Sequence, residues 1–408
     1  MVSRRRNAHR GKMTKNVRKA VALLIGYPWA RVSTVPLMTA RYLADCGYQV
    51  DMFVEYDDAM ENRGLCLPET SHPSIRIHAH AVDPSVSPLM TWKGIRLSHK
   101  DSSAVLDIAR KGSGDYAWII GFDPNGLVRA AALSELWGRP YVYHNLEIED
   151  ASSQWKPFEI ACSKNALYTL TQDDCRADIL SRLNEVPRDT IFISVNSSLG
   201  DTLPERDEYF RNLFPEIGSR SIILAVGTLA RDDCCVEEIV VSSHSWDEEH
   251  VLVMHGWFHP KGFGEEVKAF AVRVKNIFIS ENVVPADQKF RIFQSVDACL
   301  VFFSDKLTNM RYAAPSAGKL YDCMRCGVPV IGNDIPGMRD LVEKNGIGLV
   351  ARDASEIHAA LPQIMRRRDF FRQNCLAAFP RYEFSKSYAP ILRMTERLIS
   401  NTPREGTP

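Results

Sequence analysis

The chain is expected to fold as two successive doubly wound α/β domains, and three observations predict this. At 408 residues it exceeds what one compact domain normally holds. Short β-rich apolar runs alternate with helix-period stretches, the pattern of parallel strands joined by crossover helices. That alternation runs once, breaks in a charged, proline-containing stretch at residues 199–221, and then starts again.

Residues 1–19 hold Arg4, Arg5, Arg6, Arg10, Lys12, Lys15, Arg18 and Lys19 and no acid. A disordered, solvated tail is the first reading. The alternative is contact with an anionic membrane face, where each such cation contributes about 1 kcal/mol. The first strand series falls at 20–26, 49–54, 75–81, 116–120, 141–144, 166–171 and 191–195. Ile75, Ile77, Ala79 and Ala81 alternate with polar residues, so that strand should expose one face; the other runs are continuously apolar and should be buried on both. Leu37, Ala40, Leu43 and Ala44 form a helical stripe that stops at Gly47. These elements define a first domain over 20–205. Residues 206–219, with Pro215, Gly218 and many charges, read as a linker. The second series runs through 221–227, 251–256, 276–280, 298–303, 328–332 and 347–350. With helices such as that marked by Ile357, Leu361, Ile364 and Met365, it defines a second domain over 220–378. An amphipathic segment, 379–408, follows.

Composition narrows the function. Hydrophobic residues at 45% and charged residues at 25% suit a globular protein with a full core. Fifty basic and fifty acidic residues cancel, so no global field draws nucleic acid. No apolar run reaches the roughly eighteen residues of a membrane span, and no signal-peptide stretch precedes the first strand. Ten scattered cysteines make no disulfide framework, so the chain is expected to be cytoplasmic with reduced thiols.

Several motifs mislead. Gly112, Gly114 and Ala117 match the dinucleotide fingerprint, but they follow a helix and precede a strand, the reverse of what a pyrophosphate cradle needs. Cys323 and Cys326 are a lone pair without a second pair at zinc spacing. His255 and His259 flank a strand-to-loop turn and are not expected to bind metal. No Asp-x-Asp occurs, which argues against a single-domain enzyme that holds its diphosphate through a metal.

The informative stretch is 315–331 (PSAGKLYDCMRCGVPVI). Ser316 can cap a helix marked by Leu320, Cys323 and Met324 and ended by Gly327. Ala317 and Gly318 leave its first amides open. Lys319 puts a cation where the helix dipole disfavours one, unless an anion binds there. Asp322, about a turn further on, could receive ribose hydroxyls. An ordinary crossover helix accounts for the same residues.

This stretch resembles the donor-binding helix of the retaining glycosyltransferases known as "glycosyl transferases group 1" (family 4-like), whose pattern is roughly Pro-Ser-x-x-Lys-Leu-x-Glu-x-Met-x-Cys-Gly-x-Pro-Val-Ile. The likeness continues through 115–124 (DYAWIIGFDP), 138–144 (GRPYVYH), 172–180 (QDDCRADIL), 222–229, 295–301 (SVDACLV) and 379–388. It implies a GT-B fold, two Rossmann-like domains facing an interdomain cleft, with 379–408 crossing back to the first domain. It also implies transfer of a sugar from a nucleoside diphosphate sugar to an acceptor hydroxyl, with retention and without a metal or other cofactor. The acceptor would be a glycan or a lipid-linked species in polysaccharide or glycoconjugate assembly, and the protein could sit peripherally at the inner membrane face. By the same resemblance His144 and Glu147 are the catalytic candidates, and Gly227, Thr228, Arg231, Ser316, Ala317, Gly318, Lys319 and Asp322 bind the donor. Tyr27, Trp29 and Arg31 form the first domain's cleft loop.

Three departures stand out. Ala314 occupies the place of the family's first Glu, Asp233 stands where a diphosphate-binding Lys is usual, and 26–31 (GYPWAR) lacks the double glycine. They keep open a non-catalytic glycosyltransferase-like partner. A sugar-nucleotide epimerase on the same fold is a further alternative.

Overall fold

The computed structural model describes residues 20–81, 91–93, 95–274, 276–285 and 288–401. The basic stretch 1–19 lies outside them, and so do 402–408. Strands β1 (Ala20–Ile25), β2 (Gln49–Glu55) and β3 (Ile75–His80) are followed by a small hairpin of β4 (Thr91–Trp92) and β5 (Ile95–Arg96). Next come β6 (Tyr116–Phe122), β7 (Tyr141–His144), β8 (Thr169–Thr171) and β9 (Ile191–Ile193). Apart from the hairpin these make a seven-stranded sheet, β3-β2-β1-β6-β7-β8-β9, parallel throughout. The second sheet has six parallel strands. They are β10 (Ser221–Ala230), β11 (His250–His259), β12 (Ile277–Ser280), β13 (Ala298–Val301), β14 (Val330–Asn333) and β15 (Gly348–Ala351). Their order is β12-β11-β10-β13-β14-β15. Each sheet reverses its winding beside its first strand, so each has a switch point where the carboxyl ends of the strands open a crevice. This is the two-domain, Rossmann-like α/β architecture expected.

Side-chain alternation explains why the strands read as unbroken apolar runs. Val21, Leu23 and Ile25 enter one core while Ala22 and Leu24 enter another across the sheet. In the second domain Ile222 and Leu224 serve one face, and Ile223 and Ala225 the other. Strand β3, at the sheet edge, is only partly buried, which is why its sequence alternates.

Two stretches differ from expectation. Residues 206–219 carry a helix, Tyr209–Leu213, and a 3-10 turn, Pro215–Ile217. Phe210 and Ile217 are buried in the second core, so this stretch packs as part of the second domain. The chain is already attached there at Leu203, whose amide donates to Arg325 O at 2.8 Å. At the other end Phe379 belongs to the second core, and Glu383 breaks the helix Arg368–Tyr382 from the helix Phe384–Asn401. From Phe384 onward the chain packs on the first domain through Phe384, Tyr388, Ile391 and Leu392. No described helix is long and apolar enough to cross a membrane.

Candidate active site

A cleft of about 810 Å³ lies between the carboxyl edges of the two sheets. On the second-domain side it is entered by the helix Gly318–Cys326, which ends on left-handed Gly327. Its N-cap is Ala317, and no side chain caps it. The expected cap does not form. Ser316 lies in a 3-10 turn, where its hydroxyl donates to Ala313 O and accepts from Arg176. The first-turn amides therefore remain open to an anion. Lys319 Nζ sits over the Phe303 ring at 5.0 Å and has no carboxylate partner among the described residues. Gly227 faces it. With φ at +111° the position favours glycine, and a Cβ there would point at Lys319 Nζ 3.9 Å away. Its neighbour Gly256 lets the two strands close, since a Cβ would fall 1.9 Å from Gly227 O.

Asp322 lines the same wall and is almost buried. Lys289 Nζ donates to its Oδ2 at 2.9 Å and to Thr34 Oγ1 of the first domain at 3.2 Å. Thr228 also faces the cleft. Arg231 does not: it pairs with Glu266 and Glu237 and stacks on Phe263. Ala314 is fully buried in the second core.

On the first-domain side the structure corrects the reading of His144. Strand alternation puts its ring on the side of Val142, stacked on Phe122 at 5.1 Å, fully buried and off the cleft wall. Neither ring nitrogen has a hydrogen-bond partner among the described residues. Burial pushes its pKa down to about 3, so it stays neutral. The cleft-facing group at this sheet edge is Asp123, directly after β6 and in the left-handed region at φ 57°. Its Oδ1 accepts the amides of Leu146 and Glu147, at 2.8 and 3.0 Å. Burial, then the nearby Glu147, push its pKa up to about 8. Glu147 opens to the cleft, but protein surrounds it on its other sides, and that burial raises its carboxyl too.

The two walls are joined. Asn309 of the second domain donates through Nδ2 to Glu147, and its Oδ1 accepts Ile148 N at 2.9 Å and Arg176 Nη2 at 2.7 Å. Arg176, buried at the start of the helix Asp174–Leu183, also reaches Leu146 O at 2.7 Å and Ser316 Oγ at 3.1 Å. Asn196 Nδ2 donates to Ser316 O at 2.8 Å. Tyr27 and Trp29 line the cleft; Arg31 turns outward to Glu69 and Gly64 O.

Of the residues singled out in the sequence, the cleft thus gathers Tyr27, Trp29, Glu147, Gly227, Thr228, Ser316, Ala317, Gly318, Lys319 and Asp322, and leaves out Arg31, His144 and Arg231. Asp123, Lys289 and Asn309 were not foreseen as site residues. Asp123 carried the one usable signal, an acid directly after a buried strand.

No protein-family model matches the chain, and no curated protein matches it in sequence. Solved structures do match in fold. Alr3699/HepE from Anabaena, solved with UDP and glucose, superimposes with a TM-score of 0.68 at 12% identity, covering 94% of this chain and 100% of that one. Sucrose-phosphate synthase from Thermosynechococcus elongatus gives 0.70 at 14% identity, with the same coverage. WaaG, a glycosyltransferase involved in lipopolysaccharide biosynthesis, gives 0.62 at 12%, again over 94% and 100%. The fold is the GT-B fold these proteins share.

Proposed function

We propose that this protein is a glycosyltransferase that moves a sugar from a nucleoside diphosphate sugar to an acceptor hydroxyl in the cleft. The observation that carries the reading is the uncapped N-terminus of Gly318–Cys326, with an unpaired Lys319 facing Gly227. As the glycosidic bond to the diphosphate breaks, negative charge grows on the leaving group. The Gly318 and Lys319 amides and the Lys319 ammonium stand ready to meet it without reorganising. Asp322 receives ribose hydroxyls and is oriented by Lys289. Arg231 is not part of this set, because its guanidinium is spent on two glutamates. The Arg176, Asn309 and Lys289 bridges hold the walls together, which keeps water from the donor. Retention of configuration rests on the family resemblance. A uridine nucleotide is the donor to try first, since Alr3699/HepE has been solved with UDP-glucose.

The test is calorimetry against a panel of nucleoside diphosphates, followed by an assay for sugar released from the matching donor. Binding together with slow hydrolysis or transfer supports the reading. Binding with neither favours a non-catalytic partner, and epimerised donor without acceptor favours an epimerase. If no nucleotide binds, the proposal fails. Peripheral membrane contact through residues 1–19 is part of the same proposal. The full chain should sediment with anionic vesicles at low salt and come off as salt rises, because the contact is screened.

A further inference from the structure

Trp29 is a large aromatic left 42% exposed at the cleft mouth. Its ring is not loose. It stacks on Tyr27 at 5.0 Å with the planes 17° apart, and Tyr27 is itself nearly buried. The loop beneath is pinned: Arg31 N donates to Leu65 O at 3.1 Å, Arg31 pairs with Glu69, and Ser33 Oγ donates to Trp29 O at 3.2 Å. Beyond Tyr27 lie Asp123 and Glu147, close enough that their charges, after burial, help raise the Tyr27 phenol. Asp123 presents Oδ2 to the cleft, because Oδ1 is taken by two amides. A rigid, flat apolar face thus stands next to a pair of carboxyl groups, all on the first-domain wall.

We infer that this wall is an acceptor subsite for a saccharide, whose ring lays its C–H face on Trp29 and brings its hydroxyls to Asp123 and Glu147. The inference rests on the glycosyltransferase reading and names its acceptor. A pyranose has the matching duality, one face of C–H groups and a rim of hydroxyls. An indole covers the first at little entropic cost, and carboxyl groups bond the second in either protonation state. An alkyl chain does not fit, because it would cover Asp123, Glu147 and the nearby Arg63 without a hydrogen bond to any of them.

The experiment titrates the full chain, saturated with UDP, with a panel of methyl pyranosides and their disaccharides, read by indole fluorescence and saturation-transfer NMR. At least one should bind saturably. Trp29→Ala should weaken that binding about tenfold, with Trp29→Phe in between, since stacking is lost in the first and partly kept in the second. The UDP affinity of both variants should stay within about twofold of wild type, which also shows that they fold. Equal saccharide affinity in Trp29→Ala and wild type overturns the inference. So does a protein that binds UDP but none of the panel. Failure to bind UDP would instead strike at the donor reading, while the saccharide titration alone would still report on Trp29.

Discussion

Replacing Lys319 by alanine separates what that side chain does for a ligand from what it costs the helix. In the free protein a cation in the first turn opposes the helix dipole by about 0.3–1 kcal/mol. Its contact with Phe303 returns about 0.5–1 kcal/mol, and it has no ion pair to lose. Lys319→Ala should therefore leave the melting temperature of the free protein nearly unchanged. With a diphosphate bound, the lost interaction is a charge-assisted hydrogen bond in a recessed cleft, worth about 1.5–3 kcal/mol. That corresponds to a weakening of about 10–150-fold. Calorimetry with UDP at two salt concentrations reads it directly, and the salt dependence should shrink in the variant. Lys319→Arg should recover part of the affinity. An unchanged UDP affinity would refute the donor-site reasoning, and a large drop in the melting temperature of the free protein would show that Lys319 has a structural job instead.

Asp322→Asn should weaken UDP about tenfold to a hundredfold while leaving inorganic pyrophosphate binding alone; equal losses for both ligands would place Asp322 elsewhere than at the ribose. Arg176→Ala removes bonds that tie the two walls, so small-angle scattering should show a more open particle, and donor hydrolysis should gain on transfer; an unchanged particle would mean the remaining bridges suffice. Stability should also depend on pH. His144 and His80 are held down to about 3 and His255 to about 4, each by burial, from an ordinary 6.5. Below 6.5 the unfolded chain binds protons that the folded one refuses, so each histidine costs up to about 1.4 kcal/mol per pH unit as pH falls through that window. Asp123, raised to about 8 from 3.8, has the opposite sign: its contribution is lost as pH rises through that range. Urea midpoints should therefore fall on the acid side, and Asp123→Asn should flatten the alkaline side; a level acid limb would mean that the imidazoles are solvated.

The sheets were legible because strands buried on both faces must be apolar at every position. Strand β10 runs on to Ala230, past the glycine that marked its expected end, because Gly227 and Gly256 allow the paired backbones to continue. Pro215 and Gly218 looked like punctuation of a linker, yet Phe210 and Ile217 beside them are core residues. His144 was rightly placed at a strand end, but period-2 alternation turns it under the sheet, and the cleft takes its acid from Asp123 after the neighbouring strand. Glu147 meets Asn309, and Asp322 meets Lys289, only after the chain has folded over long separations. No local pattern announces such pairs.

The chain crosses between the domains twice, and the crossings touch. Phe384 N donates to Ser198 O at 3.2 Å, Gly200 N to Glu383 Oε1 at 3.2 Å, and Val195 N to Ser387 Oγ at 3.1 Å. The helix beyond Glu383 places Phe384, Tyr388, Ile391 and Leu392 in the first core, a burial worth about 6–12 kcal/mol in all. That is comparable to the whole stability of an ordinary domain. The two halves are thus unequal in synthesis. The second can close on its own contiguous stretch as it leaves the ribosome. The first, although begun earlier, waits with part of its apolar surface uncovered until the whole second domain has emerged and the final helix follows it.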